Sequence, residues 1–352
     1  MHPIHLRLLN QQLAAPQYSN PSDVVAHMGA IQAQEYRLMR WAVAMRTSNP
    51  SAEAFQKAFN DGRIIRIHLL RGTWQLVAAE DYAWMMSLCS EKARTTILGW
   101  MHSNHIILPN DEQRQVRDIL ERTVGDKGSV TKEDFAQALV ANGIAMTDQR
   151  LSYHIRMGEL NGYLVSGDLL PMKATYALTS AKVKASQPLT REESLALLAR
   201  KYFQSHQPAT LEDFIWWSGM NKGDCQRGMT LLGNELHTEH FGERTFYILD
   251  SCRTHGYRNG KTHLIPPYDE YLIGYKSRDL VLDPTHRHLA HNNSGIFNPI
   301  VAHNGIVCGN WSPFRKALEA TFFPGMEPVS LQAAWEKYAR FAGGKPFTKQ
   351  PI

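Results

Sequence analysis

The chain has 352 residues, 43% hydrophobic and 20% charged, the balance of a folded protein with room for two or three domains. Its formal net charge of +5, with 16 histidines besides, admits a polyanionic partner without demanding one. No apolar run is long enough to span a membrane, residues 1–7 lack the character of a secretory signal, and Cys89, Cys225, Cys252 and Cys308 stand too far apart for a zinc ribbon or disulfide scaffold, so a cytoplasmic protein is expected.

From the N-terminus, Ser22 is placed to cap a helix reaching about residue 31, and helices follow over 35–46 and 51–60. Strands over 64–69 and 73–78 pair around Arg71-Gly72, and a long helix over 80–100 leads on. The middle of the chain then repeats itself. Val130-Thr131-Lys132-Glu133-Asp134-Phe135 and Ala209-Thr210-Leu211-Glu212-Asp213-Phe214 each set a threonine three residues before an aspartate, the spacing of a capping box.

The same element order surrounds both copies. In the first, Val116, Ile119 and Leu120 mark a helix over 111–124, the capped helix runs over 132–141, another covers 148–160, and strands fall at 163–166 and 175–178. In the second, helices over 192–204, 211–218 and 221–232 precede strands at 236–239 and 245–249. Three helices and a two-stranded wing make a winged helix. The expected fold class is therefore α+β, mainly helical, with tandem winged-helix (helix-turn-helix) modules and a C-terminal β-rich unit. Its boundaries are 1–105 for a first winged-helix-like module with its linker helix, 106–185 and 186–255 for the second and third winged helices, and 256–352 for the β-rich unit and terminal helix. In that last stretch Asn304-Gly305 signals a hairpin between strands over 296–301 and 306–311, and 264–269 and 280–283 add β-rich sequence. A final helix over 331–341 buries Trp335, Tyr338 and Phe341.

No phosphate-binding loop, nucleophile elbow or HExxH zinc motif is present. His286, His288 and His291 cluster without an acid or cysteine at ligand spacing, which reads as a polar loop, so neither a metal nor a cofactor is expected. Asp269 and Glu270, after a double proline, either do chemistry or fix a turn, and the turn is the favoured reading. Gln32 and Gln34 flank Ala33 at a joint between helices. In an extended joint they project the same way, although capping or solvation is the simpler account of such residues. Glu35, the nearest stronger base, opens the next predicted helix and suits its positive end. The first 75 residues are basic, and Arg37, Arg63, Arg66, His68 and Arg71 are the candidate contacts to a phosphate backbone. Trp41, Trp74, Trp216 and Trp217 read as core rather than as platforms for bases.

The run His27-Met28-Gly29-Ala30-Ile31-Gln32-Ala33-Gln34 resembles the Gln-x-Gln signature of the AlkZ/YcaQ-like winged-helix DNA glycosylases. Ile67-His68-Leu69-Leu70-Arg71-Gly72-Thr73-Trp74, Pro266-Pro267-Tyr268-Asp269 and the hairpin over 295–311 are similar to the same family, and the likeness extends from about residue 5 to 320. It implies tandem winged helices with a β-rich C-terminal unit and removal of alkylated bases, with unhooking of interstrand crosslinks in some members. It also implies a catalytic motif at Gln32 and Gln34. No counterpart of the long acid-bearing segments of crosslink-processing relatives is matched in this chain. On this resemblance the partner is double-stranded DNA, alkylated or crosslinked, and the protein acts as a monomer away from membranes. Its reaction is hydrolysis by a monofunctional glycosylase. The same modules would also serve a non-catalytic DNA-binding protein or transcription regulator.

Overall fold

The computed structural model describes residues 2–184, 187–315 and 317–343. The chain divides into two compact units: Met1–Phe55 with Leu195–Ile352, and Gln56–Ser194. Among the described residues no helix is long and apolar enough to cross a membrane.

The first unit joins the two ends of the chain. The helices Pro3–Asn10 and Pro21–Met28 both carry proline in the first turn, where its missing N–H costs no hydrogen bond. Met39–Ala44 follows after a turn. From the far end come four antiparallel strands, Thr262–Ile265, Ile300–His303, Ile306–Trp311 and Ala320–Phe322, each beside the next in the chain. Asn304 and Gly305 close the central hairpin with φ of 50° and 86°, the two positive values that a two-residue turn with the right twist requires. Leu8, Leu9 and Trp41 share one core with Val301, Trp311 and Tyr338. The Trp41 and Trp311 indoles donate to the Leu264 and Ile265 carbonyls, each at 2.8 Å, so the aromatic cluster also satisfies its polar atoms. The closing helix is Gln332–Phe341, which buries Tyr338 and Phe341 and leaves Trp335 partly covered.

Both capping boxes form. Thr131 and Thr210 each accept from the aspartate amide three residues on, and each aspartate returns a bond to the threonine amide. The first repeat, in the second unit, runs Asn110–Lys127, Val130–Thr131, Lys132–Ala141, Asp148–Leu160, Leu164–Ser166 and Thr175–Leu178, with the last strand central in a three-stranded sheet. Phe135, Leu151 and Val116 lie in its core. The second repeat runs Arg191–His206, Leu211–Ser218, Lys222–Leu231 and a hairpin of Leu236–Phe241 with Arg244–Leu249. A single bridge between Ala209 and Tyr247 stands where the first copy has its short strand. The second unit also holds the hairpin of Ile64–His68 with Trp74–Ala78 and the helix Ala79–Ser103, whose Ala93, Ile97 and Met101 share a cluster with Tyr153 and Met157.

Several expectations change. The helix expected to reach about residue 31 ends at Met28, and the strand expected over 296–301 is Ile300–His303. The helix at residue 21 has Asn20 at its N-cap, and Ser22 lies inside it. The next helix begins at Met39 rather than at residue 35, because residues 35–38 form a turn in which Leu38 and Met39 both donate to the Glu35 carbonyl. Residues 280–283 are turns, not a strand, although the Val281 carbonyl accepts from the Val307 amide at 2.8 Å and so lies along the sheet's flank.

Candidate active site and nucleic-acid interface

Helix Pro21–Met28 is stopped by Gly29, whose φ of 73° and tight packing both demand glycine: a Cβ there would sit 2.8 Å from the Lys201 Cβ. Side chains of Arg191–His206 take up the freed carbonyls. Lys201 Nζ donates to Ala26 at 2.8 Å and Gln204 Nε2 to His27 at 2.7 Å. The His27 ring bonds the Asn10 carbonyl at 2.7 Å, and burial pulls its pKa down to about 4, so it is neutral and structural at pH 7. Thus the residues leading to the Gln-x-Gln run fix where it begins.

Ile31–Gln32 is extended, with Ile31 and Ala33 buried. Gln32 is 5% exposed, whereas Gln34 lies in the open. Beneath Gln32 is Glu270, fully buried, whose Oε1 accepts the Gln32 main-chain amide at 2.7 Å. Its Oε2 accepts the Trp217 indole N–H at 3.1 Å and lies 3.3 Å from His206 Nε2. Burial lowers the His206 pKa, so the ring is neutral. The Nδ1 of the same ring lies 2.8 Å from the Ser205 hydroxyl.

The neighbouring Asp269 has another task. It caps Glu270–Ile273 by accepting the Tyr271 amide at 2.9 Å, and both its oxygens take hydrogen bonds from buried Arg46, at 2.8 and 2.7 Å. The turn-fixing role anticipated for the acids after Pro266-Pro267 therefore fits Asp269, while Glu270 reaches Gln32. Glu35 does not open a helix. Its two oxygens bind the Arg37 guanidinium at 2.9 and 3.0 Å, and Arg37 lies 3.9 Å above the Phe314 ring.

In the second unit, Arg63 is exposed and pairs with Asp61 at 3.3 Å. Arg71 sits half-buried at the hairpin end with φ of 56°. Arg66 and His68 point inward, contrary to a surface reading. The Arg66 guanidinium carbon lies 4.3 Å from the Trp74 ring centre, and the His68 ring contacts Glu159 and packs 4.2 Å from Trp74. Burial holds His68 below its ordinary pKa against the pull of Glu159. Trp41 and Trp217 are core residues; Trp74 and Trp216 are partly covered. His286 and His291 lie against Phe323 and Phe297, and among the described residues no group of three His, Cys, Asp or Glu could hold a metal ion.

A family model described as DNA glycosylase AlkZ-like matches residues 25–341. The interstrand DNA cross-link repair glycosylase of Streptomyces sahachiroi is 24% identical over 98% of this chain and 96% of its own length. The solved structure of the Streptomyces sahachiroi DNA glycosylase AlkZ superposes with a TM-score of 0.78 at 21% identity, covering 100% of this chain and 98% of that one, a likeness of fold.

Proposed function

Because the chain belongs to the AlkZ-like DNA glycosylase family, we propose that it hydrolyses the N-glycosidic bond of alkylated, cationic purines in duplex DNA, with Gln32 and Gln34 as its catalytic pair. The observation that carries this reading is the setting of the two glutamines: Gln32 is fixed through its main chain to a buried carboxylate, and Gln34, two residues on, faces the open. A glutamine amide is too weak a base to force hydrolysis of an ordinary nucleoside. A purine alkylated at N7 or N3 is already positively charged and leaves readily. What remains is to hold a water beside C1′ and to present amide dipoles to the oxocarbenium as it forms, which is positioning rather than proton transfer. No covalent enzyme intermediate is needed.

The element order of both repeats supports winged-helix modules at 106–185 and 186–255, the second and third of the proposed divisions, as DNA-binding parts of the chain. Arg37, Arg63 and Arg71 would meet phosphate. Arg66 and His68 would act from beneath by fixing Trp74 and the hairpin that carries Arg71. Activity on cross-linked DNA, for which the Streptomyces relative is named, is the natural extension of the same chemistry to a bulkier N-alkyl group.

The test is release of free 7-methylguanine from an alkylated duplex by the wild type, Gln32→Ala and Gln34→Ala. Each variant should cut the excision rate at least tenfold while binding the duplex as tightly as the wild type, because water placement matters at the transition state and phosphate contacts lie elsewhere. Wild-type protein that binds the duplex but releases no base would leave a non-catalytic DNA-binding protein as the better account.

A further inference from the structure

We propose that Glu270 is the positioning residue for Gln32, an assignment that rests on the excision reading above. Two N–H groups donate to its carboxylate, the Gln32 amide to Oε1 at 2.7 Å and the Trp217 indole to Oε2 at 3.1 Å, and His206 Nε2 lies 3.3 Å from Oε2. Glu270, Trp217 and His206 are each fully buried. Burying a carboxyl group is costly unless its oxygens are supplied with donors, and here one fixed N–H donor stands at each oxygen. A glutamine at 270 would turn its own N–H₂ toward one of those donors.

The support is held as firmly as the contact it makes. Arg46 clamps Asp269 next door, and Gln11 Nε2 donates to the Glu270 carbonyl at 3.3 Å. Gly274 keeps His206 close, since a Cβ there would lie 2.6 Å from the Glu270 carbonyl oxygen and 2.7 Å from the His206 ring. The extended segment that carries Gln32 is only two residues long. The carboxylate therefore sets the height and direction from which the Gln32 side chain leaves the backbone. A displacement on the order of 1 Å at such a residue is enough to cost a hundredfold in rate.

The experiment measures single-turnover release of 7-methylguanine and duplex affinity for the wild type, Gln32→Ala, Glu270→Gln and the double variant. Glu270→Gln should excise about tenfold more slowly or worse with its affinity intact. The double variant should be no slower than the slower single, because the two residues act as one unit. Rate losses that multiply in the double variant would mean a general structural effect and would overturn the assignment, as would a folded Glu270→Gln at the wild-type rate beside a slow Gln32→Ala. A slow Glu270→Gln beside a fully active Gln32→Ala would overturn both this assignment and the catalytic role of Gln32. If Glu270→Gln does not fold, Trp217→Phe removes one donor from Oε2 and keeps most of the apolar bulk. It should slow excision severalfold without compounding Gln32→Ala, and a fully active Trp217→Phe would overturn the proposal.

Discussion

Arg46 and Asp269 meet through two hydrogen bonds of 2.8 and 2.7 Å inside the first unit, with side chains 0% and 2% exposed. Replacing one partner leaves the other's charge buried, a loss typically of about 3–5 kcal/mol. Asp269→Ala should fall in that range by urea denaturation. Asp269→Asn should recover part of it, because the amide oxygen can still accept from Arg46. Equal stability of wild type and Asp269→Ala would mean that water reaches the pair.

Gln34 lies in the open, so Gln34→Ala should change folding stability by no more than about 0.5 kcal/mol. Any loss of excision rate in that variant then reports chemistry rather than unfolding. A midpoint of thermal unfolding well below that of the wild type would remove Gln34 from the exposed surface of the site.

Arg63 and Arg66 should separate in two assays. Arg63→Ala ought to weaken duplex binding and reduce the slope of log affinity against log salt by about one, with stability unchanged. Arg66→Ala removes a guanidinium stacked on Trp74 in a buried setting and should lower stability by about 1–2 kcal/mol. A salt titration of both variants, paired with their denaturation curves, checks the contrast.

Acid should weaken the fold through its buried imidazoles. His27 titrates at about 4 in the folded chain against an ordinary 6.5, because burial disfavours its charged form. Between those values the unfolded chain binds the extra proton, so this contribution is complete above pH 6.5 and is lost as the pH falls toward 4. The shift corresponds to about 3 kcal/mol. His206 and His68 are lowered for the same reason and act in the same direction. Denaturation at pH 7 and pH 4.5 should show the fall, and His27→Asn should flatten it. A His27→Asn protein with an unaltered pH dependence would place the lost stability in other groups.

What the sequence discloses is what its residues do to near neighbours. Thr131 and Asp134 cap a helix across three positions, and Asn304-Gly305 turns a hairpin within two, so spacing alone announces both. The Gln32–Glu270 bond spans 238 residues, and the Arg46–Asp269 pair spans 223. Such pairs leave no periodic trace in one chain. Arg66 and His68 were misleading for a different reason. In Ile65-Arg66-Ile67-His68 apolar and polar residues alternate, which marks Arg66 and His68 as an outer face, yet all five residues of Ile64–His68 are buried. Glu35 was drawn into a helix by the apolar pattern that follows it, whereas the turn at residues 35–38 delays the helix to Met39.

The partition of the first unit into two distant stretches of chain carries a consequence for how the protein is made. Leu8, Leu9 and Trp41 emerge from the ribosome about 260 residues or more ahead of their packing partners Val301, Trp311 and Tyr338. Gln56–Ser194 is continuous and can close its own core while synthesis proceeds. The N-terminal segment must wait, its apolar faces uncovered, for contacts whose long loop closure makes them slow to form. Chains arrested before the 262–322 strands are complete should therefore hold an ordered second unit and a sticky, unassembled first one. Such nascent chains would be clients for chaperones long before they could touch DNA.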